Sequence, residues 1–369
     1  MQKIQVNIPA CPKSNYTVAV GAEFLPSVLS KIKKLLPKRE LFLITDSNVA
    51  KTKHLKKLTG NQNLPCYVIS PAGEKSKNIK TVAKIIEKME KKAIGRDCAV
   101  IALGGGTVGD IAGFVAAIYK RGVPVIQIPT TTVAQADSAI GGKTGVDSSI
   151  SKNAYGAFWH PAAVFIDVST LKTLDDEQFN AGLVESIKHA LIADKDYFRY
   201  LQENLKDILA RKYKPLEYIA LKNCRIKASV VEDDPCEKNK RRILNYGHTI
   251  GHAVESASNY KLLHGQAIAI GIIAANIIEQ KLGFGDKGRL EILKKLFYKL
   301  NISLKIPKTI AKRQIFDIIS RDKKAIQKRP RFVLLEKTGK VLCKNGDYAH
   351  QVEHKIVEET IDILLKQKF

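Results

Sequence analysis

The six cysteines of this chain (Cys11, Cys66, Cys98, Cys224, Cys236 and Cys343) include no C-x-x-C pair, and the sequence opens without an apolar signal-like core. Thiols scattered in this way exclude a disulfide framework and a thiolate zinc site, and they read as reduced. No apolar run reaches the roughly 20 residues that a membrane-crossing helix needs. The longest, from Ala267 to Ile278, is about a dozen residues. Acidic residues are few, 36 Asp and Glu against 61 Lys and Arg, for a net charge of +25. Yet no RNP-like, zinc-finger or helix-turn-helix signature is there for such a charge to serve, so no specific nucleic-acid partner is expected. Repeats and low-complexity linkers are missing too. A cytoplasmic protein with no membrane partner is the expectation.

What is present is enough chain for two cores. At roughly 100–200 residues per domain, 369 residues suggest two domains. Hydrophobic residues at 45% and charged residues at 26% fit a globular protein rather than a disordered one. In the first half, Glu40 to Thr45, Cys66 to Ser70, Cys98 to Leu103, Val123 to Ile128 and Ala163 to Ile166 are short apolar, β-branched runs. Amphipathic stretches such as Ile79 to Ala93 lie between them, so a mostly parallel α/β sheet is expected. After Thr170 the texture turns helical: Glu177 to Leu191, Leu216 to Val231, Thr249 to Ala257, Gly265 to Leu282 and Arg289 to Leu300. A hairpin from Arg331 to Leu335 and the following KVLC, then a helix over about Gln351 to Leu365, should close the chain. The expected division is an α/β nucleotide-binding domain over 1–173 and a mainly α-helical, metal-binding domain over 174–369.

Gly104-Gly105-Gly106-Thr107-Val108-Gly109-Asp110 follows one of these strands and opens a helix. Such a turn lets backbone N–H groups approach a phosphate at a helix N-terminus, although an ordinary tight turn looks the same. Asp46 ends an earlier strand, where a carboxylate can hold a ribose diol; that order of acid before glycines departs from the usual dinucleotide fingerprint. Thr130-Thr131-Thr132 ends another strand and reads equally as ligand site or capped turn. Asp137, Gly141 to Gly145, and Lys152-Asn153 form a polar, glycine-rich stretch of the kind that carries substrate residues. The GGKTG within it is not a P-loop, because the earlier glycine is absent.

Glu185, Lys188 and His189 share one face of a helix, either as a salt-bridged surface stripe or as part of a site. Asn245-Tyr246-Gly247-His248-Thr249-Ile250-Gly251-His252 pairs two histidines at helical spacing, and Leu263-His264-Gly265 follows. Two histidines with a carboxylate make an open divalent-metal site. HTIGH lacks the glutamate of H-E-x-x-H, which disfavours a metalloprotease. His350 and His354 repeat the spacing in HQVEH, where a solvated helix face is the better reading.

Taken together, GGGTVGD, RGVPVIQIPTT, QADSAIGGKTG, SKN-x-x-GAF, AGLVESIKHA, RRILNYGHTIGHA and LHGQAIAIG resemble the 3-dehydroquinate synthase family, in order, across about residues 40–335. The resemblance implies NAD in the N-terminal domain, a divalent metal (zinc or cobalt) in the helical domain, and substrate between them. It implies metal ligands Glu185, His248 and His264. It implies NAD contacts at Asp46, Glu74, Lys77, Gly105, Gly106, Thr107, Asp110, Thr130, Thr131 and Thr173. Catalytic positions would be Asp137, Lys143, Lys188, Lys227, Asn245 and His252, with Arg121, Lys152, Asn153, Arg241 and Lys324 on the substrate; Lys323 is the other register for the last. Departures are Asp147, Ser151 and His189, none at an implied ligand.

The implied reaction takes 3-deoxy-D-arabino-heptulosonate 7-phosphate, a small anionic sugar phosphate, to 3-dehydroquinate and phosphate in the shikimate pathway. Transient oxidation by NAD, phosphate elimination, reduction and an intramolecular aldol closure leave no net redox change. Alternatives are another sugar-phosphate cyclase, of the 2-deoxy-scyllo-inosose or 2-epi-5-epi-valiolone synthase type, or a metal-dependent polyol dehydrogenase. A homodimer is expected.

Overall fold

A computed structural model describes residues 15–321 and 330–366. In the first half the strands are β1 (Thr17–Gly21), β2 (Glu40–Asp46), β3 (Cys66–Ile69), β4 (Cys98–Gly104), β5 (Val125–Pro129), β6 (Lys143–Val146), β7 (Tyr155–Phe158) and β8 (Ala163–Asp167). Six of them form one parallel sheet in the order β1-β8-β5-β4-β2-β3. β4, β5 and β8 are buried along their whole length, and β2 in all but its first residue. Burial on both faces is why these segments read as unbroken apolar runs rather than alternating ones. β6 and β7 pair antiparallel as a separate hairpin that packs on the helix after β4.

β1 was not expected from the sequence. It is an edge strand of five mostly half-buried residues, so TVAVG carries little apolar signal. Asp167 anchors the chain that follows it: the carboxylate accepts from the amides of Glu23 (2.9 Å) and Leu25 (2.7 Å), and of Ser169 (2.9 Å).

The helices in this half are α1 (Leu25–Leu35), α2 (Ser47–Ala50), α3 (His54–Thr59), α4 (Ile79–Lys91) and α5 (Gly106–Ile118). The second half begins with α6 (Asp176–Ala193), α7 (Lys195–Glu203), α8 (Leu205–Leu209) and α9 (Tyr213–Asp233). It continues with α10 (His248–Ala257), α11 (His264–Lys281), α12 (Arg289–Lys299), α13 (Lys312–Arg321) and α14 (His354–Lys366). Among the described residues no helix is long and apolar enough to cross a membrane.

The late hairpin departs from expectation. Leu335–Lys337 pairs with Lys340–Val341, while Arg331–Phe332 pairs with His350–Gln351. His350 is therefore in a strand, its Nε2 bonded to the Leu342 carbonyl at 3.0 Å, and the helix starts only at His354. The two histidines share no helical face.

α11 is the axle of the helical half and packs on α6, α10, α12 and α14. Two glycines allow this. A methyl group on Gly265 would overlap the Ala181 carbonyl of α6, and one on Gly271 would overlap the Gly247 carbonyl before α10. Backbone against backbone at these crossings draws residues 185, 248 and 264 toward one point.

Candidate active site

Ligands in parallel α/β sheets bind beyond the carboxyl ends of the strands. Here that edge presents Asp46 after β2, Gly104–Gly106 after β4, Thr130 and Thr131 after β5, and the 3-10 turn Val168–Thr173 after β8. α5 opens at Gly106 with no side chain capping it, which leaves its first amides for an anion. Asp46 caps α2 through the amides of Asn48 and Val49, both at 2.8 Å. Thr173 Oγ1 lies 2.6 Å from His54 Nε2. From the 3-10 turn before α4, Glu74 accepts from Thr107 Oγ1 (3.3 Å) and Lys77 reaches Asp110 of α5 (2.7 Å). Burial pulls the Lys77 ammonium down, but Asp110 and Glu74 more than offset it, so Lys77 stays charged.

Across from this edge stands a buried polar cluster. Glu185, Lys188 and His189 are 1%, 1% and 0% exposed, so the surface-stripe reading of α6 is wrong. Helical spacing cannot tell which way a polar face points, and this one points inward. Lys188 pairs with Glu185 Oε2, while Glu185 Oε1 has no hydrogen-bond partner. That orphaned oxygen lies 3.8 Å from His248 Nε2 and 3.5 Å from His264 Nε2.

Each imidazole is aimed by its other nitrogen. His248 Nδ1 donates to the Tyr246 carbonyl at 3.0 Å, and His264 Nδ1 meets Glu255 Oε2 at 3.4 Å. Both partners only accept, so Nδ1 carries the proton and Nε2 faces Glu185. The donor atoms of His248, His252 and His264 lie within 4.8 Å of one another. A buried, unsatisfied carboxylate oxygen and two Nε2 atoms converging on it are a donor set that fits a divalent cation. Burial, then Lys188, push His248 far below the ordinary histidine value. Burial would lower His264 as well, but Glu185 and Glu255 hold it up at about 9.

Asp137 sits on a π-helical turn, Ala134–Ser138, 2.7 Å from Lys227 of α9 and 3.9 Å from His189. Burial would raise its carboxyl, and Lys227 and then Lys188 hold it low instead. Lys143 and Asn245 both reach Glu237, the latter at 2.7 Å. Lys152 lies between Glu74 and Glu255, 3.2 Å from each, and 4.2 Å above the Tyr260 ring. Asn153 beside it takes positive φ (50°), its amide donating to Asp147 at 2.7 Å.

Residues 67–181 match the model of the 3-dehydroquinate synthase N-terminal domain, and residues 182–325 that of its C-terminal domain. The chain is 42% identical over 333 residues to a 3-dehydroquinate synthase of Caldanaerobacter subterraneus subsp. tengcongensis, covering 89% of this chain and 93% of that one. It is 37% identical to another from Nitrosococcus oceani, covering 98% and 99%. This chain belongs to the 3-dehydroquinate synthase family. A solved structure of 2-deoxy-scyllo-inosose synthase, complexed with carbaglucose-6-phosphate, NAD+ and Co2+, superposes with a TM-score of 0.84 at 28% identity, covering 95% of this chain and 96% of that one.

Arg121 does not reach this cluster within the chain. It follows the C-terminal end of α5, where Tyr119 bonds the Ile94 carbonyl ahead of β4, so it lies at the opposite edge of the sheet from Gly106. Arg241 belongs to a 3-10 helix, Lys240–Asn245. It is 1% exposed, and its guanidinium donates to the carbonyls of Pro235 (2.6 Å) and Gly141 (2.9 Å). Lys324, with Lys323, lies outside the described residues.

Sequence reading missed Glu255, Glu237, Tyr260 and His54. Only Glu255 left a signal: with His248 and His252 it stands at i, i+4 and i+7 of one helix face.

Proposed function

We propose that this chain converts 3-deoxy-D-arabino-heptulosonate 7-phosphate, a small anionic sugar phosphate, into 3-dehydroquinate and inorganic phosphate. The observation that carries the reading is the orphaned Glu185 oxygen facing His248 and His264, within a ring of cations opposite an uncapped helix N-terminus. Relatives named for this activity match nearly the whole chain, which favours it over the other cyclases. The NAD+ and Co2+ bound by 2-deoxy-scyllo-inosose synthase support the same two cofactors here.

When bound, NAD supplies a transient hydride acceptor and a divalent cation supplies Lewis-acid polarisation. The residues of the chain do the rest. Glu185, His248 and His264 hold the cation. Gly105, Gly106, Thr130 and Thr131 receive the nucleotide, with Lys77 and Asp110 locked together beneath it. Lys152 and Asn153, on the loop between β6 and β7, bind the substrate phosphate, and Lys143 and Lys188 add positive potential. Asp137, kept ionised by Lys227, accepts hydrogen bonds from substrate hydroxyls. His252, exposed beside the two histidine ligands, moves a proton at its imidazole.

The test is phosphate release from the heptulosonate phosphate with NAD and Co2+ supplied, followed alongside NADH absorbance. Phosphate should appear while NADH does not accumulate. Steady NADH production without phosphate would support a polyol dehydrogenase instead.

A further inference from the structure

His248 and His264 are aimed by different means. A backbone carbonyl, fixed by the fold, holds His248. The side chain of Glu255 does the same for His264, and that carboxylate is 6% exposed. A buried carboxylate needs partners for both oxygens. Oε2 takes His264 Nδ1 and Oε1 takes Lys152 Nζ, which is held in turn by Glu74 and the Tyr260 ring. The backbone around Glu255 is also pinned: its carbonyl accepts from Ser258 Oγ (2.7 Å) and the Tyr260 amide (3.1 Å).

We infer that Glu255 is a positioning residue for the metal centre: it fixes the tautomer and orientation of His264 so that Nε2 faces the cation, and Lys152 keeps the carboxylate in place. This rests on the reading of Glu185, His248 and His264 as ligands. A carboxylate only accepts hydrogen bonds, so Nδ1 must carry the proton and Nε2 must offer its lone pair to a metal. The bare alternative is that Glu255 only neutralises Lys152.

Metal-free full-length protein and its Glu255→Gln, Glu255→Ala and His264→Ala variants are titrated with Co2+ against a chromophoric chelator, with circular dichroism as the check on folding. The amide oxygen of Gln still accepts from Nδ1, whereas Ala leaves nothing. Affinity should fall in the order wild type, Gln, Ala, with Ala about 10–100-fold weaker. Should Glu255→Ala fail to fold, the isosteric Gln variant decides by its own loss. Co2+ affinities within about twofold of wild type in the folded Glu255 variants overturn the inference. Wild-type affinity in His264→Ala overturns the ligand reading instead.

Discussion

Lys227 grips Asp137 twice: its ammonium lies 2.7 Å from Oδ1 and also donates to the backbone carbonyl of the same residue. The pair ties α9 to the π-helical turn after β5, and so one half of the chain to the other. Lys227→Met would remove the nearest counter-charge of Asp137 and leave Lys188 to balance it against Glu185. The expected cost is about 3 kcal/mol, the low end for breaking a buried pair, because Asp137 keeps some water contact. Adding Asp137→Asn should restore at least about 1 kcal/mol, since the stranded charge goes with it. Urea unfolding of the single and double variants measures both numbers.

Proton competition at His264 supplies the second prediction. In the metal-free protein Glu185 and Glu255 overcome burial and hold this imidazole at about 9, yet a metal takes only the neutral ring. Between pH 7 and 9, Co2+ affinity should therefore rise roughly tenfold per pH unit and level off above that. Calorimetry in buffers of different ionisation enthalpy should show about one proton released per metal bound near neutral pH. The sign for the metal-free fold is the reverse. A folded value above the ordinary 6.5 stabilises below pH 6.5, and that contribution is lost as pH rises through about 9.

How much was legible follows from what each residue packs against. β2, β4, β5 and β8 are enclosed on both faces, so their apolar runs announced them, whereas β1 at the edge and the glycine-bearing hairpin of KTGV and YGAF did not. The histidines of the metal cluster lie within seventeen residues of sequence and could be read locally. Glu255 left only its place on their helix face, and a helical glutamate has that pattern whether it faces water or a ligand. Arg121 is a different case: RGVPVIQIPTT places it ahead of a strand, and only the sheet's direction shows that within the chain it lies at the far edge.

Arg241 is where sequence and structure give different reasons for one outcome. The family resemblance puts Arg241 on the substrate; in the structure it is buried and braces the Gly141 turn, where the backbone has positive φ (93°). An ammonium cannot span the Pro235 and Gly141 carbonyls as the planar guanidinium does. Arg241→Lys should lower kcat/KM at least about tenfold, since a charge-assisted bond lost costs roughly 1.5–3 kcal/mol. Arg242→Lys should change it little. Co2+ content should stay full in both, so steady-state kinetics and metal analysis together separate a loosened turn from a damaged metal centre. Equal kcat/KM in the two variants would count against the brace.

Gly271 tests whether the metal centre depends on how closely the helices approach. It lies on α11 against the Gly247 carbonyl, one residue before His248, and a methyl group there would overlap that oxygen. Gly251 meets the same helix one turn further on, where an added methyl group would come within 3.0 Å of the Ala267 carbonyl, so α10 cannot easily slide aside. The strain must then move the residue 247–248 junction, which carries the His248 Nδ1 bond to the Tyr246 carbonyl. Overpacking of this kind costs about 1–3 kcal/mol in stability. Displacing a ligand by a few tenths of an ångström should add a loss of metal affinity, on the order of tenfold or more. Gly283→Ala, at a position with open space around it, is the contrast: its positive φ costs some stability without touching the centre. Thermal melts and Co2+ titrations of the two variants give the answer. If both lose the same stability and both keep wild-type Co2+ affinity, the close helix crossing does not set the metal centre.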